Sequence, residues 1–155
     1  ETTLKEELET MQLYMNIENI RFSNAIDFKI HVEESLNTEV IKVPSLVLQP
    51  FLENALWHGL SSKSSDKNIE LNVKSKSKGF VAIEIIDNGI GRDASGKINN
   101  DKRLKRKSVG IELTKARLAN FSKAYKENYA MFIEDLYEND KPSGTKIILE
   151  IPTVA

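Results

Sequence analysis

The sequence contains no cysteine, which excludes disulfide bonds, thiolate metal ligands and a cysteine nucleophile. No apolar run approaches the roughly 18 residues that a membrane-spanning helix needs, and the acidic, polar first residues do not resemble a secretion signal. Strong positive charge is also missing: the net charge is -1, so the composition gives no indication of nucleic-acid binding. What remains, 155 residues with 29% charged and 40% hydrophobic side chains, is typical of one globular domain with a substantial core.

Residues 1–22 predict a lead-in helix that continues from an upstream segment, because the chain opens within a helical pattern and has no initiator methionine. We therefore interpret the chain as a piece of a longer protein. Apolar side chains recur at helical spacing, and the expected buried stripe consists of Leu4, Leu8, Met11, Tyr14, Met15 and Ile17. Packing against a sheet or a neighbouring helix is the simplest role for this stripe.

Residues 23–155 predict one α+β domain. Alternating or β-branched apolar residues predict strands at residues 25–32, 69–76, 80–86, 130–136 and 145–151. Helical periodicity predicts two further helices, at residues 43–60 and 108–125. Ser45 is the expected N-cap of the first of these, Gly59 its expected end, and Pro50 should kink it. This order of elements favours a two-layer α/β sandwich in which helices cover one face of a mixed, mostly antiparallel sheet.

The sequence Asp-Asn-Gly-Ile-Gly at residues 87–91 directly follows the strand predicted at residues 80–86. Gly89 and Gly91 can adopt a positive φ and let another group approach the backbone closely. Asp87, at the carboxyl end of the strand, can accept a hydrogen bond from an amino group of a ligand. Taken alone, the motif is better explained as an ordinary Asp-Asn-Gly turn, so a functional interpretation depends on the rest of the chain.

Two further motifs place polar residues on predicted elements. Asn54 lies on the second helix four residues before His58, and the two therefore share a face of the predicted α-helix. A turn through Asp140, Pro142, Ser143 and Gly144 is predicted before the last strand, and Thr145 is the first residue of that strand. Neither motif is specific alone, and the chain contains no Walker-type or Rossmann phosphate loop.

A basic segment at residues 92–107 connects the Asp-Asn-Gly motif to the third helix. It has almost no apolar side chains, so it cannot bury enough surface to fold alone and should be mobile. Its last basic residues are Lys105, Arg106 and Lys107, and it leads to Gly110 near the start of the predicted helix. A solvated surface loop is the simplest interpretation of this segment by itself.

In this combination and order, the motifs resemble the ATP-binding domain shared by gyrase, the heat-shock 90 chaperones, histidine kinases and the mismatch-repair ATPases. Within that group the most specific resemblance is to the catalytic domain of the LytS-like sensor histidine kinases, and it covers nearly the whole chain. Residues 48–55, with His58 and Gly59, are similar to the N box of that family, and residues 87–91 to its first glycine box. Weaker matches to the later boxes are Gly110 with Leu113, Arg117-Leu118 and Gly144-Thr145. The resemblance implies a Bergerat-type ATP-binding fold.

The resemblance also implies that the domain binds ATP and Mg²⁺. Asn54 would give its side-chain oxygen to Mg²⁺, a cation that prefers oxygen ligands. Asp87 would accept the adenine amino hydrogen and so select adenine over guanine. Residues 92–107 would form a lid that closes over the nucleotide. The other implied ATP-binding residues are His58, Gly89, Gly91, Gly110, Thr145 and the lid residues Lys105, Arg106 and Lys107.

Three positions depart from the patterns of this superfamily. Pro50 stands where hydrolysing relatives have a general-base glutamate, so we expect poor hydrolysis and transfer to a protein acceptor instead. Glu53 is the remaining candidate for orienting a water or a lid residue, although it points about 100° round the helix from Asn54. Trp57 replaces a lysine and Glu112 a glycine, which leaves the phosphate contacts less well defined.

The leading hypothesis is the catalytic domain of a bacterial sensor histidine kinase that passes the γ-phosphate of ATP to a histidine outside this fragment, for relay to a response regulator. His31, on the polar side of a strand, and His58 do not fit a phosphate-accepting helix. The resemblance implies a cytoplasmic domain of a homodimeric protein anchored in the bacterial inner membrane. Two alternatives stay open: a degenerate scaffold domain that binds nucleotide weakly or not at all, and an anti-sigma-type serine kinase.

Overall fold

A computed structural model of the protein describes residues 1–61, 63–77, 79–91 and 102–153; the side chains of His58 and residues 102–109 are not among those described. The elements, in chain order, are β1 (Thr2–Thr3), α1 (Leu4–Arg21), β2 (Ile26–Val32), β3 (Lys42–Val43), α2 (Gln49–Asn54), a π-helical segment (Ala55–Leu60), β4 (Lys67–Ser75), β5 (Phe80–Asp87), α3 (Lys102–Ser122), a 3-10 helix (Lys123–Tyr125), β6 (Ala130–Glu138) and β7 (Lys141–Pro152). Within the described ranges, no helix combines the length and apolar character needed to cross a bilayer.

Five strands form one mixed sheet in the order β2-β4-β5-β7-β6. β2 and β4 run parallel, and each of the other neighbouring pairs in this sheet is antiparallel. One face of the sheet packs with the helices in a single hydrophobic core, to which the sheet contributes Ile69, Leu71, Val73, Ile83, Ile85, Ile147 and Leu149. The predicted α+β sandwich with a mixed, mostly antiparallel sheet is confirmed.

Helix α1 begins at a capping box and buries one face. Thr3 Oγ1 accepts the backbone N–H of Glu6 at 3.1 Å, and Glu6 Oε2 accepts the backbone N–H of Thr3 at 3.3 Å. The buried face consists of Leu4, Leu8, Met11 and Met15, as predicted. The prediction for Ile17 is wrong, because this side chain is 63% exposed. At about 100° per residue, Ile17 lies on the far side of the helix from Met15.

The second helix starts later than predicted. Val43 lies in β3 and pairs with β1, and α2 begins only at Gln49, so Ser45 is not its N-cap. Leu46 separates the two elements with a left-handed φ of 58°. Pro50 therefore lies in the first turn of α2, where backbone N–H groups have no helical partner. The predicted kink at Pro50 is wrong for this reason.

Helix α3 begins at Lys102, before the predicted start at residue 108. Residues 92–101 of the predicted lid lie outside the described residues, and so do the side chains of Lys105, Arg106 and Lys107. The lid at residues 92–107 therefore stays a prediction.

The C-terminal hairpin is tighter than predicted. Asn139 and Asp140 join β6 to β7, with φ values of 52° and 62°, as in the two-residue turns that match the twist of paired strands. Pro142, Ser143 and Gly144 belong to β7 and not to the turn. Thr145 follows them inside the strand, directly beside β5.

Glu7 is a buried carboxylate that joins α1 to the loop before α2. It accepts the backbone N–H of Leu46 at 2.9 Å and that of Leu48 at 3.4 Å. Burial raises the pKa of the Glu7 carboxyl, while the hydrogen bonds and the positive charge of Arg117 oppose that rise. Arg117 of α3 also donates to the Ser45 carbonyl. Helices α1 and α3 therefore hold the same loop, and this loop determines where α2 begins.

We expect Glu7→Ala to lower the free energy of unfolding by about 2 kcal/mol, because it leaves two backbone N–H groups without acceptors. Chemical denaturation at pH 7 measures the change. Glu9→Ala is the matched control, since Glu9 is exposed on the same helix and surface substitutions usually stay within about 0.5 kcal/mol. Equal effects of the two substitutions would contradict this role of Glu7.

Candidate functional site

Asp87 lies at the carboxyl end of β5, as predicted, and is only 5% exposed. Its Oδ1 accepts the backbone N–H of Gly89 at 2.9 Å, and its carboxylate also accepts the backbone N–H of Thr145, its register partner on β7. Burial raises the pKa of Asp87 to about 6, while these hydrogen bonds and the charge of Lys63 oppose the rise. At neutral pH Asp87 is therefore an ionised, largely buried acceptor at the end of a strand.

Three glycines pack around this strand end. A Cβ atom at Gly59 would lie 2.7 Å from Asp87 Oδ1, and one at Gly144, where φ is 142°, would overlap the Asp87 carbonyl oxygen. A Cβ atom at Gly89 would overlap the backbone of Gly59. The Ile90 N–H also donates to the Gly59 carbonyl at 3.1 Å. The segments similar to the N box and to the first glycine box are therefore in direct backbone contact.

Gly59 reaches this contact because the helix changes type directly after Asn54. Residues 55–60 are π-helical, and the Ser61 N–H donates to the Leu56 carbonyl at 2.8 Å. Gly59 therefore lies inside a helical segment, and its predicted role as a helix stop is wrong. π-Helical turns are rare and occur frequently at functional sites. Asn54, the last residue of α2, is half-buried.

The spacing from Asn54 to His58 crosses from α2 into the π-helical segment, so the α-helical geometry used for the prediction applies to only part of it. The side chain of His58 lies outside the described residues. The roles predicted for Asn54 and His58 stay predictions.

Glu53 faces the lead-in helix. Its carboxylate accepts a hydrogen bond from Gln49 Nε2 at 3.1 Å and one from the Tyr14 hydroxyl. Burial and the negative charge of Glu53 raise the pKa of the Tyr14 phenol. Trp57 packs on Phe22, with ring centroids 5.9 Å apart. Glu53 thus joins α2 to Tyr14 of α1, and Trp57 joins the π-helical segment to Phe22, directly after α1.

The structure describes Gly110, Glu112 and Gly91, three of the glycine-box positions, and they agree with the sequence predictions to different degrees. Gly110 lies well inside α3, not near its start, and its carbonyl accepts the Thr114 hydroxyl at 2.9 Å. Glu112 is exposed and pairs with Lys115 at 3.0 Å. Gly91 has the expected positive φ, 85°. Among the described residues there is no cluster of three histidine, aspartate or glutamate side chains that could hold a metal.

Sequence analysis missed a cluster of residues beside Asp87. Lys63 Nζ donates to the Asn88 carbonyl at 2.8 Å and to the Asp66 carbonyl at 2.9 Å. Asn88 Oδ1 in turn accepts the backbone N–H of Asn68 at 2.8 Å. The available signal was the asparagine that follows Asp87, since short amide side chains commonly bond to nearby backbone.

We expect Gly89→Ala to lower the free energy of unfolding by about 3 kcal/mol, because the methyl group would overlap the Gly59 backbone. Gly110→Ala is the control: nothing lies within 4 Å of a Cβ atom there, and alanine should stabilise a helix interior by about 0.5–1 kcal/mol. Thermal denaturation of both variants checks the opposite signs. A Gly89→Ala variant as stable as the wild type would contradict the close approach.

The pKa of Asp87 predicts a pH-dependent stability. Between the unfolded pKa of 3.8 and the folded pKa of about 6, the folded state keeps a proton that the unfolded state loses, so stability falls as the pH rises. Above about pH 6 the ionised carboxylate costs the fold about 3 kcal/mol. Asp87→Asn should therefore stabilise the ligand-free protein, with a gain that grows from pH 4 to pH 6 and then levels off. Denaturant titrations across this range measure the gain, and a gain that is independent of pH would contradict the assignment.

Comparison with known proteins finds sensor kinases. No protein-family model matches the chain. The sensor protein LytS of Bacillus cereus is 39% identical over 88 residues, which cover 57% of this chain and 14% of LytS. The sensor histidine kinase YesM of Bacillus subtilis is 30% identical over 150 residues, which cover 97% of this chain and 24% of YesM. The chain spans less than half the length of these and the other curated relatives it matches first.

Solved structures share the fold. The catalytic domain of the histidine kinase ThkA superposes with a TM-score of 0.60 at 16% identity, covering 97% of this chain and 93% of that domain. ThkA in complex with the response regulator TrrA has a TM-score of 0.60 at 16% identity, covering 98% of this chain and 41% of ThkA. Full-length ShkA in complex with AMPPNP has a TM-score of 0.61 at 18% identity, covering 99% of this chain and 31% of ShkA. The chain is thus a relative of the LytS-like sensor histidine kinases and has the fold of a histidine kinase catalytic domain, as its motifs predicted.

Proposed function

We propose that this chain is the catalytic domain of a bacterial two-component sensor histidine kinase. It binds Mg-ATP and transfers the γ-phosphate to a histidine outside the chain, for relay to a response regulator. The observation that carries the proposal is the buried, ionised Asp87 carboxylate, fixed at a strand end by two backbone N–H groups and closely packed glycines.

Asp87 determines which base can bind. A carboxylate accepts hydrogen bonds and donates none, so it pairs with the 6-amino group of adenine and repels the carbonyl oxygen that guanine presents there. Thr145 lies beside it on β7, and Gly91 keeps the following backbone open to the base. ShkA, which shares the fold, was solved with AMPPNP, an ATP analogue, which supports a nucleotide as the ligand.

The phosphate end depends on Asn54 and on the predicted lid. Asn54 offers a neutral oxygen at the end of α2, where Mg²⁺ would neutralise and bridge the phosphates. Lys105, Arg106 and Lys107 would supply positive charge for the γ-phosphate, and His58 is a further predicted contact.

The side chains of α2 favour transfer over hydrolysis. Pro50 lies in the first turn and offers no base, and the Glu53 carboxylate is bonded to Tyr14 and Gln49. Since neither residue is placed to activate water, we favour an acceptor in another part of the protein, a histidine on an upstream segment. The relatives LytS and YesM are sensor proteins, and ThkA was solved with a response regulator. A membrane-anchored homodimeric parent with this domain in the bacterial cytoplasm fits these relatives.

Asp87→Asn and Asn54→Ala should each weaken Mg-ATP binding by about 100-fold, because one substitution puts an NH₂ group against the adenine amino group and the other removes a metal ligand. Isothermal titration calorimetry measures the affinity, and circular dichroism checks that the fold is intact. Asp27→Asn is the matched control, since Asp27 is exposed on the edge strand β2. Unchanged binding in either site variant would remove the assignment.

A scaffold domain is the second candidate, favoured by Trp57 and Glu112 in place of the expected lysine and glycine. The parent protein, with its own upstream segment and γ-labelled ATP, separates the candidates. Acid-labile label on the protein supports the histidine kinase, and nucleotide binding without any label supports the scaffold. Acid-stable label on a serine of a partner protein would indicate an anti-sigma-type kinase instead.

A further inference from the structure

The loop between the π-helical segment and β4 is tied to the end of β5 by four residues, which we call the Lys63 clasp: Lys63, Asp66, Asn68 and Asn88. Lys63 Nζ donates to the carbonyl oxygens of Asn88 and Asp66. Asn88 Nδ2 donates to the same Asp66 carbonyl at 2.7 Å, and the Asn88 N–H donates to the Asn68 carbonyl at 3.2 Å. The clasp thus holds the backbone of the residue directly after Asp87.

Two sets of contacts hold this backbone, the packing against Gly59 and the clasp. Gly89 and Gly91 have no side chains to pack, and a positive φ at Gly91 is a conformation that only glycine adopts readily. The Gly89 N–H bonds to Asp87 Oδ1 and the Ile90 N–H to the Gly59 carbonyl, whereas the clasp makes the hydrogen bonds of Asn88 itself. An ammonium has three donors and no acceptor, so the two carbonyl contacts occupy most of what Lys63 can offer.

We infer that Lys63 is a positioning residue for base recognition: by bonding the Asn88 carbonyl, it holds the segment after Asp87 in the conformation in which that carboxylate meets the base. The inference rests on the proposed function. It gives Lys63 a role different from that of a phosphate-binding lysine, because its ammonium is directed at backbone carbonyls at the Asp87 end of the site.

Two plainer roles make different predictions. If Lys63 only attracts the phosphates by its positive charge, its loss should weaken every nucleotide alike, because that attraction does not depend on the base. If Lys63 only fastens a loop, its loss should lower stability without changing affinity. A positioning residue should change the affinity for ATP while the weaker affinity for GTP, which cannot use Asp87 as an acceptor, stays the same.

The test measures Mg-ATP affinity by calorimetry and Mg-GTP as a competitor up to millimolar concentration, in the wild type, Lys63→Met, Lys67→Met and Asp87→Asn. Lys67 is the matched control, because it is a nearby lysine whose ammonium lies over the Phe22 ring, 4.9 Å from its centroid, and not against the clasp. We expect Lys63→Met to bind Mg-ATP about ten-fold more weakly, the size of one lost charge-assisted hydrogen bond. Competition by GTP should not change, and Lys67→Met should resemble the wild type.

An equal loss for ATP and GTP, or no loss for ATP, would overturn the inference while leaving the proposed function intact. A wild type without Mg-ATP binding, or an Asp87→Asn variant that binds normally, would instead overturn the proposed function itself. Should Lys63→Met fail to fold, Lys63→Gln, whose side chain is polar but too short to reach both carbonyls, carries the same comparison.

Discussion

The arrangement of this domain depends on one backbone contact, between Gly59 in the π-helical segment and the strand end formed by Asp87 to Gly89. Two segments of main chain can approach this closely only where neither carries a side chain, and here the glycines at positions 59, 89 and 144 come from three different parts of the chain. Because the contact is between backbones, it leaves no side chain that could adapt to a shift. The second helix is therefore fixed relative to the central strands of the sheet.

The same contact explains why Asp87 is costly to the fold. The carboxylate is surrounded by backbone and is nearly excluded from water, which raises its pKa to about 6 despite the hydrogen bonds that it accepts. A residue selected only for stability at this position would carry no charge. A buried acceptor that the fold compensates incompletely is typical of binding sites, because a donor from the ligand supplies the remaining stabilisation.

The sequence patterns predicted those parts of the fold that depend on local periodicity. The β4–β5 hairpin, the buried face of α1 and the position of Asp87 followed from alternation, helical spacing and the motif after the strand. The errors lie where tertiary structure overrides local signals. Pro50 looked like a kink because nothing in the sequence shows that Leu46 adopts a left-handed conformation and delays the helix.

The site, too, was predicted only in part, because some of its contacts join residues that are far apart in the sequence. Gly59 looked like a helix stop because its actual role, making room for Asp87, involves a residue far along the chain. The bond from Lys63 to the Asn88 carbonyl likewise joins positions 25 residues apart. Such contacts have no periodic signature, so a single sequence can indicate the residue types around a site but not which of them touch.

Helix α2 is so short that tertiary contacts must hold it in place. A helix of six residues has negligible stability of its own, because nucleation costs more than so few hydrogen bonds return. Its position must therefore come from tertiary contacts, and they act along its whole length. The loop before it is held by Glu7 and Arg117, the Glu53 carboxylate is bonded to Tyr14 of α1, and the π-helical continuation contacts the end of β5 at Gly59. Since two of these three anchors involve α1 and the third involves the end of β5, the positions of α1 and of that strand end together determine where Asn54 lies relative to Asp87.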